Sequence, residues 1–168
     1  MIRQDIINAV NAKLEASILS DFSGSTTQPK GLLAYTGVTS AGTVSAYSGL
    51  TDLEATIEEK NVYGDMCYIL SPKAKGGLRA MAKSTKNTQL VMEGGEVDGT
   101  KAYSTSHLSG KDFVYGDFSN LVIGSWGAID LTVDPYTKAA AGQVRLVVNA
   151  YFDFKPVRDI AFGKGEIA

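Results

Sequence analysis

The stretch Phe113–Gly165, FVYGDFSNLVIGSWGAIDLTVDPYTKAAAGQVRLVVNAYFDFKPVRDIAFGKG, decides how this 168-residue chain is read. Two segments within it are rich in strand-forming residues, Ala128–Val133 and Gln143–Phe154, and a loop of Pro, Lys, Ala and Gly joins them. In the second segment Gln143, Arg145, Val147 and Asn149 fall on one side, and Val144, Leu146, Val148 and Ala150 on the other. The pattern predicts a long antiparallel pair with one apolar face and a projecting tip. Such a ribbon is suited to reaching a neighbour and poorly suited to shaping an active site.

Upstream, residues 3–20 read as an amphipathic helix. Ile6, Val10, Leu14 and Ile18 recur every four residues, Ile7 and Leu19 widen the stripe, and Asn8, Asn11, Lys13 and Glu15 fill the other side. No amino-terminal cap precedes it, and so abrupt a start suggests a fragment whose helix continues in a longer protein. Residues 22–49 are rich in Gly, Ser and Thr, with a short strand expected at Leu32–Tyr35 and a loop or weak hairpin over Gly37–Ser48. A surface connection and a defined interface loop are equally open readings of that region.

A second helix is expected over 51–62, capped by Thr51 or Ser48, with Leu53, Ile57 and Val62 inward and Gly64 at its end. Glu54, Glu58, Glu59 and Lys60 make its solvated side. Met66–Leu70 reads as a buried strand, and Ser71-Pro72 opens a third helix with Ser as N-cap and Pro at N1, where a missing N–H costs nothing. Leu78, Met81 and Ala82 form its apolar face, while Gly76-Gly77 weakens its middle by about 1 kcal/mol per glycine relative to alanine. Lys83–Val97 reads as a loop with one short strand near Leu90–Met92, and Asp98-Gly99 as a tight turn. Short strands follow at Lys101–Thr105, Phe113–Tyr115, Leu121–Ile123 and Ile160–Phe162.

Composition sets the outer limits. The length suits one compact domain or two small lobes, and 44% hydrophobic with 20% charged residues is ordinary for a folded protein. Sixteen Lys and Arg against eighteen Asp and Glu give a net charge of −2, with no run of five bases to mark a nucleic-acid surface. Cys67 is alone, no apolar run approaches the roughly 18 residues of a membrane span, and Met1–Asp5 lacks signal-peptide character, so a cytoplasmic protein is expected.

Enzyme templates find nothing to hold. One His and one Cys cannot build a His/Cys zinc site, no serine sits in G-x-S-x-G, and neither phosphate-binding glycine pattern occurs. His107 beside Ser104 and Ser106 reads as a packing or surface histidine. Glu58-Glu59 and Glu93…Glu96 have no apolar surroundings to raise their pKa values. Trp126, Tyr136 and Tyr151 could stack bases, but no basic stripe accompanies them. No cofactor and no metal are expected.

The decisive stretch also carries a resemblance. Its lead-in Gly116-Asp117-Phe118, the apolar turn into the long hairpin, and the ending Arg158, Ala161, Phe162 and Lys164 resemble the carboxy-terminal portion of tailed-phage major capsid proteins. Gln28-Pro29-Lys30-Gly31-Leu32-Leu33 and Tyr68-Ile69-Leu70-Ser71-Pro72 resemble further elements of that family, in the same order. The resemblance implies an α+β chain of the Hong Kong 97-type coat fold, holding the axial (A) domain plus part of the peripheral (P) domain with its spine helix and long β-hairpin. It divides the chain into 1–47 (spine helix and P-domain connection), 48–129 (A domain), 130–153 (long hairpin) and 154–168 (return strand).

By the same resemblance the function is structural: a coat subunit of a tailed phage or prophage, made in the host cytoplasm and resident in the virion, that self-assembles into the icosahedral shell around the DNA. Its partners would be further copies in pentamers and hexamers, scaffolding, protease or portal proteins, and packaged DNA without sequence preference, but no membrane. Inter-subunit contacts are expected at Asp134, Pro135, Tyr136, Lys138 and Gly142 of the hairpin tip, near three-fold positions. A second set, Lys86, Asn87, Gly94 and Gly95, is expected near the five-fold and six-fold axes. Some relatives seal their shells with a Lys–Asn isopeptide bond, but this tip has Lys138 and no Asn, so no cross-link is expected here. The competing readings are a small α+β enzyme or ligand-binding domain with a dispersed site, and a tail or decoration protein; the long ribbon argues against the first and the helices against the second.

Overall fold

A strand buried along nearly its whole length organises the molecule. Residues Phe113–Gly116 are apolar at successive positions, and from Phe113 to Asp117 every residue is buried. That is the pattern of a strand covered on both faces rather than one. The computed structural model describes residues 2–84 and 86–168. In chain order it contains α1 (Ile2–Ile18), β1 (Thr39–Val44), α2 (Tyr47–Glu58), β2 (Met66–Leu70), α3 (Pro72–Ala80), β3 (Ala82–Ser84) and β4 (Asn87–Leu90). These are followed by β5 (Met92–Glu93), β6 (Glu96–Val97), β7 (Thr100–Ser104), β8 (Asp112–Asp117), β9 (Leu121–Asp134), β10 (Arg145–Pro156) and β11 (Phe162–Ile167).

The main sheet has seven strands in the order β1-β11-β8-β2-β7-β6-β5. The buried strand β8 runs antiparallel to both of its neighbours, β11 and β2. Strand β1 lies parallel to β11, and β7 parallel to β2. The ribbon β9–β10 is a separate two-stranded sheet, and β3–β4 is a small hairpin. Tyr68, Phe113, Phe162, Leu32, Leu50 and Ile57 are the largest of the fully buried side chains. The core therefore sits around the main sheet, and the ribbon projects from it.

Several expectations meet this architecture unchanged. Ser71 caps α3, its hydroxyl accepting the Ala74 amide at 3.1 Å and donating to the Gly110 carbonyl at 3.0 Å. Pro72 stands at the first position of that helix. Gly77, in the middle of α3, has its own reason: a Cβ there would stand 2.9 Å from Ile167 Cγ2. The buried face of α3 is Ala74 and Leu78, whereas Ala82 has already left the helix for β3. Helix α1 sinks its end, Ile18 and Leu19, into the core, but Ile7 remains exposed and does not widen the buried stripe.

Others are corrected. Leu32–Ala34 is a 3₁₀ turn, not a strand, with Leu32 buried. The supposed loop at 37–48 contains β1, the edge strand of the main sheet, which pairs Thr39 with Gly163 and Val44 with Ile167. Helix α2 begins at Tyr47 with Ala46 before it and no side-chain cap, so neither Thr51 nor Ser48 plays that role. Its end is marked by Asn61 at φ 57 rather than by Gly64. Lys83–Val97 is not a loop but two hairpins in succession: β3 pairs with β4, and β5 with β6.

A half-buried carboxylate, Glu54, borders the core. Tyr68, whose ring lies 4.6 Å from that of Tyr115 and 6.1 Å from that of Phe113, donates its hydroxyl to Glu54 Oε1 at 2.7 Å. Burial raises the Glu54 carboxyl above its ordinary value, and the Tyr68 hydrogen bond opposes this only in part. A carboxyl whose folded pKa exceeds its unfolded value favours folding most below the unfolded pKa, and loses that advantage as pH rises through the folded one. Glu54→Gln keeps an acceptor for Tyr68 and has no charge to bury. It is expected to be more stable than the parent at neutral pH, with the gap closing as pH falls below about 4. Urea midpoints measured at both ends of that range check this; a gap that widens toward acid would refute it.

Candidate assembly surfaces

The ribbon is exposed over most of its length. Its register pairs Leu146 with Val133, Val148 with Leu131, Phe154 with Ile123 and Pro156 with Leu121, and paired residues share a face. That face is apolar, as the alternation in the sequence predicts. The other face pairs Arg145 with Asp134, Val147 with Thr132, Asn149 with Asp130 and Tyr151 with Trp126. The ladder slips between Asn149 and Tyr151, where Gly127–Ile129 oppose Ala150 alone and Gly127 takes φ 75. A bulge of this kind bends and twists a ribbon. The two short strands expected at Leu121–Ile123 and Ala128–Val133 are thus one continuous strand carried through a bulge.

Helix α1 faces the β10 side of the apolar face. Leu146, Val148, Ala150, Phe152 and Phe154 line a groove of about 740 Å³ whose opposite wall is α1, with Ile6, Val10 and Leu14. On the β9 side of that face no described residue buries the strand: Leu131 is 48% exposed and Val133 57%. On the other face Trp126 and Tyr151 are 59% and 69% exposed as a cross-strand aromatic pair. Exposed aromatics and aliphatics on a projecting ribbon are the composition of an interface core.

The tip residues come together as one turn. Asp134 accepts hydrogen bonds from the amides of Tyr136 (2.9 Å) and Thr137 (3.1 Å) and from the Thr137 hydroxyl. The Thr137 hydroxyl first, then the two amides, hold its carboxyl below the usual carboxylate range. Pro135 and Lys138 are exposed, Tyr136 is 86% exposed, and Gly142 closes the turn at φ 66. Asp134 therefore shapes the tip, and Tyr136 and Lys138 are the side chains it presents.

The second predicted set belongs to a different sheet edge. Lys86 is exposed at the turn between β3 and β4; the side chain of Asn87 lies outside the described residues. Gly94 and Gly95 take φ 61 and 92, the two positive values that a tight two-residue hairpin turn requires. Asp98 and Gly99, at φ 48 and 85, repeat that geometry four residues later. The tip and this double hairpin are separate surfaces.

Sequence reasoning missed what anchors the double hairpin. The Asp98 carboxylate accepts the Tyr47 hydroxyl from the first turn of α2 and pairs with the Lys83 ammonium. Lys83 and then Tyr47 hold Asp98 below its ordinary value, while Tyr47 is pushed up to about 12 by its bond to Asp98. No local signal joins residues 47, 83 and 98. His107 faces Glu15 of α1 at 4.0 Å, which is no catalytic arrangement. Among the described residues no cluster of three His, Cys, Asp or Glu is placed to hold a metal ion. No described helix is long and apolar enough to cross a membrane.

The profile of the phage capsid family matches residues 1–167. The chain belongs to that family. It is 26% identical over 165 residues to the major capsid protein of Halomonas phage phiHAP-1, a match covering 96% of this chain and 27% of that one. Among solved structures it is similar to that of Gordonia phage Cozz, with a TM-score of 0.72 and 15% identity over 99% of this chain and 62% of the other. It is also similar to the capsid of an empty GTA particle, at 0.66 and 16% identity over 99% and 66%. A virus-like particle from Pyrococcus furiosus gives 0.59 and 15% over 92% and 61%. The fold is α+β, of the Hong Kong 97 coat type. This phage capsid family chain spans about a quarter of the curated relative and under two thirds of most of these solved chains.

Proposed function

We propose that this protein is a coat subunit of a tailed phage or prophage, structural rather than catalytic, which assembles through many modest contacts into a shell that encloses DNA. The observation that carries the reading is the ribbon: a long two-stranded arm whose apolar face stays about half exposed at Leu131 and Val133 of β9. An arm of that kind in a lone globular protein is an aggregation hazard. In a shell it is covered at every position, and repeated weak contacts sum through multivalency.

The proposed division is residues 1–47 as spine helix and peripheral connection, 48–129 as axial domain, 130–153 as long hairpin and 154–168 as return strand, with β1 of the first segment hydrogen-bonded into the axial sheet. The tip residues Asp134, Pro135, Tyr136, Lys138 and Gly142 meet neighbours near three-fold positions. Lys86, Asn87, Gly94 and Gly95 meet them around capsomer centres. Synthesis in the host cytoplasm, residence in the virion, contacts with scaffolding, protease or portal proteins, non-specific contact with packaged DNA and shells without a Lys–Asn cross-link complete the proposal. Negative-stain electron microscopy of the protein expressed from its whole reading frame tests it. Closed shells or capsomer rings are the expected result; uniformly small monodisperse particles under assembling conditions would overturn it.

A further inference from the structure

The polar face of the ribbon carries an exposed aromatic pair. Trp126 and Tyr151 stand opposite each other across the ladder, 59% and 69% exposed. The indole folds back over Gly124, where a Cβ would stand 3.0 Å from Trp126 Cη2 and 3.2 Å from Cζ3. Glycine weakens a strand and marks places where another group comes close. Here that group is the indole ring, lodged against the strand with more than half of the residue still open to solvent. Gly127, beside it in the bulge, has open space where a Cβ would stand. Strand and bulge therefore both leave room around the aromatic pair.

The charge beside that pair is unmatched. Asp130 follows the bulge, opposite Asn149, and both are exposed on the face that carries Tyr151. Among the described residues neither side chain has a hydrogen-bond partner, and no ion pair reaches Asp130. The bases of this face lie elsewhere. Arg145 stands opposite Asp134 at the tip, with the Val147–Thr132 pair in between, and Lys155 is two residues from Asp153 at the base. An aromatic face with a carboxylate and an amide oxygen beside it suits a guanidinium. The planar cation stacks on the ring while its fork of N–H groups reaches the acceptors. An ammonium, a point charge with no plane to stack, fits less well.

The chain holds such a cation with no partner inside the fold. Of the arginines whose side chains are described, Arg158 donates to the carbonyls of Lys60 and Asn61, and Arg145 faces Asp134. Arg79, in the last turn of α3, is exposed and has no hydrogen bond or ion pair. Its surroundings complement an acid: from Lys73 to Lys86 there are five bases and no Asp or Glu. We infer that Arg79 of a second copy docks on the ribbon at Trp126 and Tyr151, its guanidinium on the aromatic pair and hydrogen-bonded to Asp130. The two patches differ, α3 on one copy and the ribbon on the next. The contact is therefore heterologous, and it generates rings when the rotation closes. It rests on the coat reading and names one contact within the shell.

The test uses the protein expressed from its whole reading frame. Asp130→Asn, Trp126→Ala and Arg79→Ala are each expected to cut particle yield by about tenfold or more. All three residues are exposed, so the melting temperature is expected to stay at the wild-type value. Arg79→Lys keeps the charge and loses the plane, and its yield is expected to fall between those of Arg79→Ala and the wild type. Asp130→Asn combined with Arg79→Ala is expected to lose no more than either alone, since both remove one contact. The exchange Asp130→Arg with Arg79→Asp is expected to recover most of the yield. Wild-type yield in Arg79→Ala, losses that multiply in the double variant, or an exchange without recovery would overturn the contact and leave the coat reading standing. Loss in Trp126→Ala with wild-type yield in Arg79→Ala would assign the aromatic pair to another partner and likewise overturn it. Carbodiimide cross-linking of the Arg79→Lys variant, labelled and unlabelled chains mixed, reads the contact without shells. Inter-chain peptides joining position 79 to Asp130 support it, and their absence refutes it, even if no shells form and the coat reading itself fails.

Discussion

Phe113→Ala is expected to lower the unfolding free energy by about 3–5 kcal/mol, the upper range for truncating a buried aromatic. Phe113 has no exposed surface and lies in the buried central strand. The void would be hard to fill. Across the ladder its partner is Gly165, so close that a Cβ there would stand 2.7 Å from Phe113 Cζ, and Gly165 has no side chain to swing in. The neighbouring Tyr68 ring is held in place by its hydroxyl on Glu54. Collapse of neighbours is what separates a cheap truncation from an expensive one, and here both neighbours are prevented from collapsing. Urea denaturation with an unchanged m-value measures the loss. A change below about 1 kcal/mol would mean the strand is not packed as described.

Leu131→Asp with Val133→Asp is expected to do the opposite: leave the fold intact and abolish assembly. Both side chains are about half exposed on the outer apolar face, opposite Val148 and Leu146, so little burial is lost and unfolding should shift by less than about 1 kcal/mol. At an interface the same carboxylates would be desolvated without partners. Each 1.4 kcal/mol so lost weakens a contact about tenfold, and a shell repeats the contact at every subunit. Circular dichroism and sedimentation together separate the two effects. Particles at wild-type yield would show that this face of the ribbon is not an assembly surface.

The two variants differ because the two halves of the chain keep their apolar residues for different purposes. In the main sheet they are used up within the subunit: Tyr68, Leu70, Phe113, Val114 and Phe162 are all buried. In the ribbon they stay outside. The phase of that ribbon was legible in the letters, because alternation over Gln143–Ala150 is a local property of extended backbone. What would cover the apolar phase was not legible, since no residue in the segment says whether α1, another element or another copy lies against it.

The candidate contacts divide the same way. Asp134 through Gly142 were recognisable as a turn, and Asp134 does organise it through the Tyr136 and Thr137 amides. Lys86, Gly94 and Gly95 were read as one loop because strands of two to four residues have no periodicity to detect. They exist because α3 packs against them and Asp98 ties Lys83 to Tyr47.

The sequence alone therefore determined what depends on neighbours along the chain. The helical stripe of α1, the Ser71-Pro72 start of α3, the Asp98-Gly99 turn and the inward phase of β10 each need only a few adjacent residues to define them. Tertiary structure decided the rest. Thr39–Val44 has a Gly-containing, weakly apolar sequence that becomes a strand only because β11, more than a hundred residues away, offers an edge to pair with. The continuity of β9 through its bulge depends likewise on β10, and Tyr47 bonds Asp98 only once α2 and the β6–β7 turn have been brought together. Ladder hydrogen bonds and long-range contacts form only once the chain has closed those loops, so no local window of residues contains them.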